Sequence, residues 1–92
     1  MKIALTERFQ RDVRDLAPDR KARIFDVLLS LERAMGEPHR HSGLGVRKLH
    51  RSGIWEARVG LGLRLVFASE SDLLTLVRVG THEEIRRYLR EL

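Results

Sequence analysis

The run Ile54-Trp55-Glu56-Ala57-Arg58-Val59-Gly60-Leu61-Gly62-Leu63-Arg64-Leu65-Val66-Phe67-Ala68-Ser69-Glu70-Ser71-Asp72-Leu73-Leu74-Thr75-Leu76-Val77-Arg78-Val79-Gly80-Thr81-His82 decides the fold. It contains three segments rich in β-branched, aromatic and leucine side chains: Ile54 to Val59, Leu63 to Ser69 and Leu73 to Val79. Glycines 60 and 62 separate the first two, and Glu70-Ser71-Asp72 separates the second and third. Such short polar or glycine-rich gaps are hairpin turns, so the run predicts an antiparallel meander.

Strict alternation assigns its faces. Trp55, Ala57 and Val59 share one side of the first strand, and Ile54, Glu56 and Arg58 the other. Leu63, Leu65 and Phe67 oppose Arg64, Val66 and Ala68. In the third strand Leu74, Leu76 and Arg78 oppose Leu73, Thr75, Val77 and Val79. The last two strands are apolar on both sides, which places them centrally with cover on both faces. The face with Arg58 and Arg64 is expected to be only partly covered.

Working outward, Thr81 and Glu84 spell a Thr-x-x-Glu capping box for a C-terminal helix whose Ile85, Tyr88, Leu89 and Leu92 fall on one side. N-terminal to the meander, Met1 to Leu5 suits an edge strand, and Thr6 can cap the helix after it. Phe9, Val13 and Leu16 form that helix's apolar stripe. Pro18 ends it and opens a second helix running to about Met35, with Ile24, Leu28, Leu31 and Met35 as its stripe and Phe25 and Leu29 widening it. Gly36 and Pro38 stop this helix, the two helices are expected to form a hairpin over one sheet face, and Val46 to Leu49 reads as a brief extended piece in a loop. The expected fold class is thus α+β in the order β-α-α-β-β-β-α, one domain over residues 1–92.

Charge is localised. Of a net +5, residues 38–69 carry all of the excess: six Lys/Arg against the single acid Glu56, with the rest of the chain balanced. A basic field of this kind attracts polyanions, nucleic acid first. Arg47, Lys48, His50 and Arg51 within it, and Arg78 on the third strand beyond it, are the candidate nucleic-acid contacts. The chain lacks cysteine, which excludes disulfides and a thiolate zinc site and suits a reducing cytosol. His39 and His41 stand two apart with no evident third ligand. No apolar run approaches membrane-spanning length, and the N-terminus does not read as a signal peptide. Gly43-Leu44-Gly45 and Gly60-Leu61-Gly62 are not dinucleotide fingerprints, because neither has the third glycine or opens a helix.

Arg58 and Arg64 on neighbouring strands suit a phosphate. His82, in the first turn of the last helix, can give or take a proton near neutral pH. This order of elements resembles the RelE/ParE superfamily of toxin–antitoxin toxins. The resemblance rests on Lys48-Leu49 before the meander, on Trp55-Glu56-Ala57-Arg58-Val59 leading to Leu63-Arg64-Leu65-Val66-Phe67, and on Val79-Gly80-Thr81-His82-Glu83-Glu84. It implies a type II toxin with a concave basic sheet face that, in the ribosome-dependent branch, cuts mRNA in the ribosomal A site without a metal or other cofactor. Arg64 then matches the arginine on the scissile phosphate, Arg58 a neighbouring basic position, and His82 the closing-motif residue near the leaving group. Tyr88 matches a functional tyrosine, and Lys48, His50 and Arg51 match backbone contacts. The chain departs from the pattern at Ile54 and Glu56, where some RNases of the family carry lysines, so the general base stays open among Glu56, His50 and Lys48. The implied partners are a cognate antitoxin, the ribosome and mRNA in the cytoplasm. The alternatives are a ParE-like inhibitor of DNA gyrase and a non-toxic binding module of the same fold.

Overall fold

In a computed structural model the chain is described at residues 2–35, 45–50 and 53–92, with backbone alone at Ala34 and His50. The meander forms as its alternation requires: β3 (Ile54–Val59), β4 (Leu63–Glu70) and β5 (Leu73–Gly80) pair antiparallel. Gly60 opens the first turn at φ +64°, a left-handed conformation that glycine adopts without steric cost. Ser71 and Asp72 close the second. N-terminal β1 (Lys2–Leu5) adds parallel to the far side of β5, as an edge strand.

The sheet has one strand more than the sequence order gives. Arg47–His50 is β2, antiparallel to β3 at the other edge, so the sheet reads β1-β5-β4-β3-β2. The extended piece read at Val46 to Leu49 is therefore a paired strand. The observed order is β-α-α-β-β-β-β-α.

Helices α1 (Glu7–Arg14) and α2 (Pro18–Ala34) cover one face. Phe9, Ile24 and Leu31 join Ala57, Val59, Leu63, Leu65, Phe67, Leu74, Leu76 and Val79 in one buried cluster. Trp55 stacks on Phe67, its partner across β3 and β4, at 6.5 Å between ring centroids. Phe25 and Leu29 do not widen the buried stripe as expected: they are 64% and 50% exposed. Ile24 and Leu31, with Val27, Leu28 and Met35 beside them, already fill the contact. The stops read at Gly36 and Pro38, and the pair His39 and His41, lie outside the described residues.

The face assignment of β5 also changes. Val66 pairs with Arg78 and Phe67 with Leu76, so Val77 is an extra residue on β5. This bulge resets the alternation. Val79 joins Leu74 and Leu76 in the core, and Arg78 moves to the face of Val66, away from Leu74 and Leu76 where uniform alternation puts it. The carbonyls of Leu76 and Val77 accept from the Thr6 hydroxyl at 2.9 and 3.2 Å, and the same hydroxyl caps α1 by accepting from the Phe9 N–H. One side chain thus seals the bulge and starts a helix.

Helix α3 (His82–Arg90) lies against β4 and β5, with Ile85 and Val66 buried outside the main cluster. The capping box forms as the sequence predicts: the Thr81 hydroxyl accepts from the Glu84 N–H, and Glu84 Oε1 accepts from the Thr81 N–H. Hydrogen bonding from the Thr81 backbone N–H, and then from the Thr81 side chain, holds the Glu84 carboxyl below its usual range, with Arg78 and Arg87 adding to the effect. A depressed carboxylate stabilises the fold above its unfolded pKa and loses that contribution as pH falls through the folded value. Thr81→Ala is therefore expected to cost about 1 kcal/mol in denaturant melts at pH 7. Glu84→Gln should remove part of the wild-type stability loss between about pH 5 and pH 3; an unchanged acid limb would discount this cap.

Candidate nucleic-acid interface

The sheet face away from α1 and α2 carries the charge. Arg58 and Arg64 are directly opposite one another on β3 and β4. One row further along, Arg47, Glu56, Val66 and Arg78 line up across β2, β3, β4 and β5. Like charges directly opposed across a sheet are destabilising. A fold gains nothing from facing two guanidinium groups at the end of a hairpin, whereas a bound anion does.

The side chains divide the space between them. Arg58 is exposed and lies along Gly45, where a Cβ would overlap its Nε; Gly45 also sits at φ +61°. Arg64, 28% exposed, has its Nε 4.0 Å from Glu56 Oε1. Arg47 approaches the same oxygen at 3.5 Å from the β2 side. Both distances are ion-pair contacts longer than a good hydrogen bond, so among the described residues most of the Arg64 donors remain for a ligand.

His82 begins α3 two residues beyond Gly80, which is the β5 partner of Arg64. Arg58, Arg64 and His82 thus leave the backbone at one end of the sheet. His82 is exposed, and its Nε2 lies 3.3 Å from an Arg86 nitrogen. Arg86 can donate there only to an unprotonated Nε2, so a proton-donating His82 must turn off Arg86.

The remaining candidates are placed differently. Arg78 is 12% exposed and donates through Nε to Asp12 Oδ2 at 2.8 Å. Its guanidinium also stands 5.3 Å from the centroid of the half-buried Tyr88 ring. Sequence reading missed this Arg78–Asp12 pair, which spans 66 residues. Tyr88 sits about 120° around α3 from His82, given 100° per residue. Lys48 pairs with Trp55, on the opposite face from Arg47. His50 is placed only by its backbone, opposite Ile54. Arg51 lies outside the described residues. Glu56, open as a base, faces two guanidinium groups and is 4% exposed. Among the described residues, no three His, Asp or Glu side chains group as metal ligands, and no helix is long and apolar enough to cross a membrane.

No protein-family model and no curated protein matches the chain. Solved structures do. A copper-bound mutant toxin from Helicobacter pylori superposes with a TM-score of 0.71 at 23% identity, covering 92% of this chain and 98% of that one. A chain of the RelB–RelE antitoxin–toxin complex from Methanococcus jannaschii gives 0.67 at 19% identity, over 92% and 96%. A chain of the YoeB–YefM complex from Staphylococcus aureus gives 0.69 at 18%, over 89% and 97%. The fold is that of the RelE- and YoeB-type toxins.

Proposed function

We propose that this chain is the toxin of a type II toxin–antitoxin pair, a RelE/ParE-superfamily endoribonuclease that cuts mRNA on the ribosome in the cytoplasm and is neutralised by a cognate antitoxin. The observation that carries the reading is the opposed pair Arg58 and Arg64 on a partly covered sheet face, with His82 starting from the same end. The fold shared with solved toxins, several of them in complexes with antitoxins, supports it.

The chemistry follows from what the site can do. A ribose 2′-hydroxyl gives its proton to solvent water and its oxygen bonds to the adjacent phosphorus; the bond from phosphorus to the 5′-oxygen breaks, leaving a cyclic phosphate and a free 5′-hydroxyl. Arg64 and Arg58 stabilise the charge that grows on the phosphorane oxygens. His82, turned from Arg86 and protonated, gives its proton to the departing 5′-oxygen. The ribosome supplies the in-line geometry of the mRNA, so RNA free in solution is a poor substrate.

Induction of the wild-type protein in a bacterial host, followed by a translation pulse and mapping of mRNA ends, tests the reading. Arrested translation with new 5′-hydroxyl ends inside codons is the expected result. Intact translation with inhibited DNA supercoiling would replace it with the gyrase reading, and neither effect would leave a non-toxic binding module.

A further inference from the structure

Glu56 is costly where it stands. It is 4% exposed, and among the described residues no charged side chain is buried more deeply. Its neighbour across the ladder is Val66, and Ile54 lies two residues away on the same face, so an apolar side chain would pack there as well. Among the described residues its ion pairs, at 3.5 and 4.0 Å, are longer than good hydrogen bonds. A buried pair of this kind is weak evidence for stability, so stability does not by itself explain the residue.

Its geometry does. Arg64 is opposite Arg58, and its Nε stands 4.0 Å from Glu56 Oε1, while Arg58 lies along Gly45. A carboxylate diagonal to Arg64 attracts that guanidinium across the ladder at ion-pair range. Arg47, directly opposite Glu56, is gathered to the same oxygen. We infer that Glu56 is a positioning residue: it fixes Arg64, with Arg47 beside it, so that the space between Arg64 and Arg58 takes one phosphodiester group of RNA. The inference rests on the nuclease reading and assigns Glu56 no proton transfer.

Glu56→Gln keeps the shape and removes the charge, and Glu56→Met serves if the amide variant folds poorly. Single-turnover cleavage of ribosome-bound mRNA should fall roughly 10- to 100-fold, the loss typical of a misplaced catalytic group. Binding of single-stranded RNA should hold or tighten, with a steeper salt dependence, because one negative charge has left a basic face. A residue that only supports the fold would not slow cleavage while strengthening binding. In an Arg64→Ala background the Glu56 substitution should add no further loss, since it acts through that side chain. The ¹⁵N–¹H signal of the Arg64 Nε–H should be restrained in the wild type and mobile in Glu56→Gln. Undiminished cleavage, or an equal loss with and without Arg64, would overturn the inference. If the wild type cuts no RNA the nuclease reading falls, and the Arg64 signal separately decides whether Glu56 holds that side chain.

Discussion

Arg64→Ala is expected to lower the single-turnover rate of mRNA cleavage on the ribosome by about 10²- to 10³-fold, the typical loss when one preorganised donor to a transition-state anion is removed. The fold should survive. Arg64 contacts Glu56 only at 4.0 Å and keeps 28% of its side chain in solvent, so its loss should move stability by about 1 kcal/mol or less. Arg47 remains beside the carboxylate. Arg64→Lys should recover only part of the rate: an ammonium keeps the charge but lacks the planar fork that grips two phosphate oxygens. Arg58→Ala should cost less than Arg64→Ala, because Arg58 is more exposed and no carboxylate holds it among the described contacts. An Arg64→Ala protein that melts normally and cuts at the wild-type rate would remove the opposed pair as the centre of the site.

The parts of this picture legible in the sequence share a physical cause. Alternation in β3 and β4 is strict, so Glu56, Arg58 and Arg64 can be put on one face from residue types alone. The Thr81–Glu84 box is a local motif and needs no tertiary information. β2 was harder to read because its Arg-Lys-Leu-His has one apolar residue and lies at an edge, where only one neighbour constrains it. The Val77 bulge has no signature in its own segment, which contains neither glycine nor proline before Gly80. What stabilises it lies about 70 residues away, in the Thr6 hydroxyl. Reading β5 without the bulge sends Arg78 to the wrong face. Phe25 and Leu29 show a related limit: periodicity marks which positions can be buried, but the width of the groove decides how many are.

The Arg78–Asp12 pair carries the second large effect. Asp12 Oδ2 accepts from the Arg78 Nε–H at 2.8 Å and from the Val79 N–H at 3.1 Å, at the end of β5 that β1 does not reach. Arg8 approaches the other oxygen at 3.3 Å. Both Asp12 and Arg78 are nearly out of water, at 11% and 12% exposure. Asp12→Ala would strand a guanidinium and a backbone donor together, at an expected cost of roughly 3 kcal/mol. In a chain of this size that is a fall in Tm of roughly 10–20 °C. Arg78→Ala should destabilise less, because Asp12 keeps the Val79 N–H and Arg8. Wherever the Arg78→Ala protein is folded, it should cut mRNA at close to the wild-type rate, since its guanidinium is engaged by Asp12 and Tyr88 instead of facing an anion. Thermal melts of the two variants beside their single-turnover rates separate the roles. An Asp12→Ala protein that melts with the wild type would show the pair to be idle. An Arg78→Ala protein of normal stability that has lost cleavage would make Arg78 an RNA contact.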